Sequence, residues 1–81
     1  MAPKFTEETI GTVEKKDDER IVIGFREFKG HQYVDIRTEF RDKEGKWLPT
    51  KKGVTVGFET FEDLATLIQK AVAKAKELEL L

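Results

Sequence analysis

Between Arg20 and Arg41 apolar and polar residues alternate with a period of two, and beyond Glu59 the apolar period lengthens to three and four. The first pattern predicts half-buried strands and the second an amphipathic helix. Ile10–Glu14 and Arg20–Phe28 read as two extended pieces separated by the charged run KKDDE. In the second piece Ile21, Ile23 and Phe25 share one face, and Val22, Gly24, Arg26 and Phe28 the other. Lys29-Gly30 then predicts a hairpin turn, because glycine accepts a positive φ. From His31 to about Arg41 the alternation continues. Val34, Ile36, Thr38 and Phe40 fall on one side, and Tyr33, Asp35, Arg37, Glu39 and Arg41 on the other. DKEG predicts a loop with Gly45 in a left-handed conformation. KWLPTKKG reads as a short extended piece whose Pro49 marks an edge or a bulge. Gly53 then turns the chain into the β-branched strand VTVGF.

Phe61, Leu64, Ala65, Ile68, Ala71, Val72, Ala75 and Leu78 recur at helical spacing, and no glycine or proline interrupts Glu59–Leu81. Thr60 with Asp63 three residues on has the form of a capping box, which places the helix start within 57–61. Residues 1–8 lack periodicity and are expected to be a loose lead to one domain over residues 9–81. The expected fold is α+β: about four antiparallel strands followed by one C-terminal amphipathic helix.

At 81 residues the chain is too short to divide, and its own core is expected to be marginal. Domains this small draw support from disulfides, metals or partner subunits. The chain has no cysteine and one histidine, His31, so disulfides, thiolate sites and multi-histidine metal sites are excluded. A homodimer is the support left by elimination. The helix agrees, since small residues at 71, 73 and 75 permit close approach and leucines extend the apolar surface past one stripe. Leu64, Leu67, Ile68, Ala71, Val72 and Ala75 are the candidate dimer contacts. The alternative for the terminal leucines is a frayed, exposed tail.

Charge changes the picture further. The net charge is only −1, but it is unevenly spread. Residues 1–19 carry a net −3, residues 20–53 a net +4 and residues 54–81 a net −2. A basic middle between acidic ends can form a local positive surface. The N-terminal MAPKFTEETIG has no signal-peptide core and no run approaches membrane-spanning length, so an intracellular, soluble protein with no membrane partner is expected. Serine and asparagine are absent, which removes serine nucleophiles. Nothing combines nucleophile, base and orienting group, and neither KEGK nor TKKG has the glycine pattern of a phosphate loop. No catalytic residue, metal or cofactor is expected.

The stronger constellation interleaves rings and cations in the β region. Phe28, Tyr33, Phe40 and Trp47 lie among Arg26, Lys29, His31, Arg37, Arg41, Lys46, Lys51 and Lys52. Single-stranded nucleic acid asks for this combination, with cations on phosphates and rings stacked on unpaired bases. Each ring also has an ordinary reading as core, which fits Phe28 beside its turn least well. Arg37 and Phe40 have opposite parity on a regular strand, so both reach one ligand only through a bulge, a strong twist or different subunits.

FREFKGHQYVDIRTEFRDKEGKWLPTKKGVTV resembles the single-stranded-DNA-binding domain of the transcriptional coactivator PC4 (p15) family. The matching motifs are R-[acid]-F-K-G at Arg26–Gly30, V-D-I-R at Val34–Arg37, D-x-E-G at Asp42–Gly45 and P-x-K-K-G at Pro49–Gly53. With the helix, the resemblance covers roughly residues 20–76. It implies a homodimer of curved antiparallel sheets whose β-hairpins form basic, aromatic-lined channels for single strands. Its nucleic-acid contacts map onto Arg26, Phe28, Lys29, His31, Arg37, Phe40, Lys51 and Lys52; Trp47 joins them from the residue pattern alone. His31 stands where human-type members carry lysine, Phe40 where they carry tryptophan, and Leu48 where they carry a basic residue. The short serine-free lead points to a bacterial or phage member, cytoplasmic and nucleoid-associated rather than nuclear. The expected function is largely sequence-independent binding of single-stranded DNA, with RNA left open, in transcription regulation or protection of unwound DNA. Transcription machinery is a further candidate partner. The competing reading is a protein-interaction module that docks on a polymerase or regulator through the same sheet.

Overall fold

A computed structural model describes residues 7–81. Most of the lead expected over residues 1–8 lies outside the described residues. The elements are β1 (Glu8–Lys16), β2 (Glu19–Phe28), β3 (His31–Arg41), β4 (Trp47–Val56) and α1 (Phe58–Glu77). The strands form one antiparallel sheet in the order β1-β2-β3-β4, each joined to the next by a hairpin.

β1 is a separate strand and is longer than the expected Ile10–Glu14. The charged run is not a linker: Lys15 and Lys16 finish β1, Asp17 and Asp18 turn, and Glu19 opens β2. Lys16 and Glu19 pair across that turn, with Nζ 2.8 Å from the carboxylate.

β4 joins two pieces that the sequence separates. Proline at 49 is tolerated because β4 is an edge strand. The pairing steps from Arg37↔Gly53 to Glu39↔Pro49, so residues 50–52 stand opposite Thr38 alone. Side chains hold this bulge. The Thr50 hydroxyl donates to the Thr38 carbonyl at 2.7 Å, and the Lys52 amide donates to the Thr50 hydroxyl at 3.1 Å. Gly53 therefore makes no turn. It is glycine because β3 runs too close: a Cβ there would lie 2.6 Å from the Ile36 carbonyl oxygen and 3.0 Å from the Arg37 Cα. Gly53→Ala is expected to destabilise the protein by about 1–3 kcal/mol, the range for overpacking. A denaturant midpoint equal to that of the parent would contradict this contact.

The expected capping box is also corrected. The N-cap is Gly57, in an extended conformation (φ −68°, ψ 165°), with no side-chain cap bond, and Thr60 lies inside the first turn. The helix ends in a Schellman motif, with Leu80 N–H donating to Ala75 O at 2.8 Å and Glu79 N–H to Lys76 O at 3.0 Å. Glu79 takes the left-handed conformation, φ 62°, that glycine usually supplies.

Register sorts the sheet into two unlike faces. Ile21, Ile23 and Phe25 pair with Thr38, Ile36 and Val34, and Val54 and Val56 extend this apolar face on β4. α1 lies here, with Phe58 edge-on to Phe25 at 5.1 Å between ring centroids. Among the described residues only Val22 and Val34 are buried apolar side chains. No residue of α1 is buried. The radius of gyration is 15.2 Å, against about 12 Å for a compact chain of this length. The accessible surface is 6964 Å², against about 5000 Å² for a compact monomer of this mass. Among the described residues no helix is long and apolar enough to cross a membrane.

Candidate nucleic-acid interface

The face opposite the helix carries the cations. Arg20, Arg26 and Phe28 of β2 pair with Glu39, Tyr33 and His31 of β3, while Arg37 and Arg41 pair with Gly53 and Trp47 of β4. Period-two alternation makes this set share one side of the sheet.

At one end stands the β2–β3 turn. Lys29 and Gly30 both have positive φ, 51° and 81°, which is the signature of a type I′ hairpin. Such turns favour Asn-Gly, because a lysine held left-handed costs about 1–2 kcal/mol. The geometry brings Phe28 and His31 together as the closing pair. Phe28 is 64% exposed, too open for a core residue. The Lys29 ammonium lies over its ring at 5.3 Å from the centroid. Lys29 and His31 are exposed.

Arg26 folds back over Gly24, where a Cβ would meet its guanidinium at 2.5 Å. Its donors reach the carbonyls of Phe25 and Glu8 at 2.9 and 3.1 Å and the Thr9 hydroxyl at 3.3 Å. These partners are neutral, and among the described residues no carboxylate pairs with its charge. Arg37 differs. It donates to the Asp35 carboxylate at 2.8–3.2 Å and to the Thr50 carbonyl at 2.8 Å. The hydrogen bond to Asp35 raises its pKa above the ordinary arginine value. Arg37 thus ties β3 to the bulge, and its charge is already partly met.

The bulge carries Lys51 and Lys52, both exposed. Neither makes an ion pair among the described residues. Lys52 borders a cavity of about 330 Å³ on the apolar side, lined also by Ile21, Ile36 and Val54. Phe40 pairs with Leu48 and Glu19 on that same apolar side and is 39% exposed. It does not join Arg37 on one face, as their parity indicates. Trp47 lies on the cationic face, half-buried beneath Arg20. Tyr33 and Arg41, part of the constellation of rings and cations read from the sequence, lie on that face too, and Arg20, which was not part of it, joins them. Its parity with Arg26 on β2 is the signal that would have found it.

Of the candidate dimer contacts, Leu67, Ile68 and Val72 are 61%, 50% and 41% exposed. Ala71 is exposed, and Leu64 and Ala75 are half-buried. No cluster of metal-ligating side chains occurs among the described residues.

The profile of the family Transcriptional Coactivator p15 (PC4) matches residues 15–67. Among solved structures, the chain is similar to BPSL1147, a PC4 homologue from Burkholderia pseudomallei. The orthorhombic form is 32% identical, with a TM-score of 0.70 over 94% of this chain and 99% of that one. The tetragonal form is 33% identical, with a TM-score of 0.68 over 86% and 98%. A bacteriophage T5 homologue of the eukaryotic coactivator, implicated in recombination-dependent DNA replication, is 25% identical, with a TM-score of 0.71 over 93% and 86%. No curated protein matches the chain at a significant level.

Proposed function

The chain belongs to the Transcriptional Coactivator p15 (PC4) family, and from that premise we propose that it is a homodimeric, largely sequence-independent binder of single-stranded DNA. The observation that carries this reading is the division of the sheet. One face is apolar and holds the helix; the other presents Arg26, Arg37 and Arg41 with Phe28 exposed at its crest. A single strand offers both of the groups this face can take, phosphates for the cations and unpaired base faces for the ring. Duplex DNA hides its base faces and asks for an element that enters a groove, which a broad sheet does not supply. Lys29, His31, Lys51 and Lys52 add charge at the turn and the bulge.

Homodimerisation is supported by the unspent surface. The protomer exposes about 2000 Å² more than a compact monomer of its mass, which is of the size one partner contributes to an obligate interface. The exposed stripe Leu67, Ile68 and Val72 on α1 and the cavity bordered by Ile21, Ile36 and Val54 are both apolar. A second copy would cover them. The relatives' description as coactivator homologues, and the phage protein's link to DNA replication, favour a role on unwound DNA in transcription or replication.

The deciding experiment is fluorescence anisotropy of a labelled single strand of about 20 nucleotides and of its duplex, at several salt concentrations. Preference for the single strand is expected, with a log–log salt slope of about −0.7 per phosphate contacted. Absence of binding at about 50 mM salt, where phosphate contacts are strongest, would reject the reading. Lys29→Asn separates the two demands on the turn. Relief of the left-handed lysine is expected to raise the unfolding midpoint by up to about 8 °C. The same variant is expected to reduce the salt slope by about 0.7. A slope unchanged by Lys29→Asn would remove Lys29 from the phosphate contacts.

A further inference from the structure

We propose that Arg20, Trp47 and Arg41 form a second base-stacking station, at the opposite end of the cationic face from the Phe28 crest. The proposal rests on the single-strand reading above and gives the site a second anchor and a length. The Arg20 guanidinium lies 4.3 Å from the Trp47 ring centroid and that of Arg41 lies 5.6 Å from it. Glu39 fixes Arg20 through bonds of 2.8 and 2.9 Å to one carboxylate oxygen. Arg41 is held by its backbone, which donates to Asp18 O at 2.8 Å. Its side chain makes no ion pair among the described residues.

A tryptophan used for core packing belongs on the apolar face. This one lies on the other face, in an edge strand, opposite the side on which Phe58 of the helix meets Phe25. Indole and guanidinium planes are both surfaces on which unpaired bases stack. With one of its two cations neutralised by Glu39, the cluster keeps a net positive charge for a neighbouring phosphate. Phe28 and Arg20 stand eight residues apart on β2, which is about 26 Å along the strand. That span corresponds to at most about eight nucleotides at the 3.4 Å rise of stacked bases. Arg26 and Arg37 lie on the same face between the two ends.

Trp47 is the only tryptophan of the chain, so its emission reports on this station without a label. The test titrates a single strand of about 20 nucleotides and follows anisotropy of the strand and indole emission in the same samples. Indole quenching is expected to track the anisotropy. Trp47→Ala is expected to weaken binding about 5- to 150-fold at an unchanged salt slope, while Trp47→Phe retains most of the affinity. Arg41→Gln is expected to lower the slope by about 0.7. Binding by anisotropy with unchanged indole emission, or a Trp47→Ala variant of parent affinity, overturns the station and leaves the single-strand reading standing. Absence of any anisotropy change overturns both. The emission of the unmodified protein keeps the test decisive should Trp47→Ala fold poorly.

Discussion

Phe28→Ala is expected to bind a single strand with about 1–3 kcal/mol less free energy, a loss of about 5- to 150-fold in affinity. Its unfolding midpoint should stay within a few degrees of the parent's. The two halves of this expectation come from one number. At 64% exposure the ring contributes little to the protomer's own burial, so its removal leaves no cavity. The β2–β3 turn is held by the Phe28–His31 backbone pair and the left-handed Lys29 and Gly30, none of which needs the ring. The salt slope should not move, because stacking releases no counterion. Anisotropy at two salt concentrations with a thermal melt checks all three parts. An unfolded variant would show that Phe28 is structural, and parent affinity would show that it is idle.

The largest effect on assembly is expected from Ile68→Asp. In the isolated protomer Ile68 is 50% exposed, and a carboxylate there would be solvated at little cost. In a symmetric dimer joined through α1 the same carboxylate would be buried unpaired, and symmetry would place two of them in one interface. The penalty is several kcal/mol per ion. The variant should therefore elute as a monomer and lose most of its thermal stability, since Val22 and Val34 are a small core. Light scattering coupled to sizing, on parent and variant, checks it. A parent that is monomeric at micromolar concentration would refute the dimer before the variant is made.

The strands were legible where the information was local. The faces of β2 and β3 follow from parity, and the pairing Ile23↔Ile36 and Arg26↔Tyr33 bears out each assignment. Gly30 and Gly45 take the positive φ expected of them, 81° and 84°. The incompatibility of Arg37 and Phe40 on one face was also readable, and the register keeps them apart. What escaped depends on groups distant in sequence. The unity of β4 rests on Thr50 bonding to Thr38 and on Arg37 reaching the Thr50 carbonyl, and no window of neighbouring residues contains those bonds. The helix start falls within the expected 57–61, but the cap misled: Thr60 and Asp63 reproduce the form of a capping box, whereas Gly57 begins the helix with backbone geometry alone. The Arg20–Trp47–Arg41 cluster needs the register of three strands at once. The Asp35–Arg37 bond lay within reach of the sequence, since residues two apart on a strand share a face. It changes how free Arg37 is to meet a ligand.

The bulge in β4 sets a rule for lengthening and shortening of the chain. Because residues 50–52 oppose Thr38 alone, β4 holds an excess of two residues over β3. An even excess preserves which side each flanking side chain faces. Removing or adding one residue here would carry Trp47 through the sheet to the helix side and bring Leu48 out among the arginines. Two residues could be lost or gained without that inversion. Among related chains, insertions and deletions in this segment should therefore come in pairs.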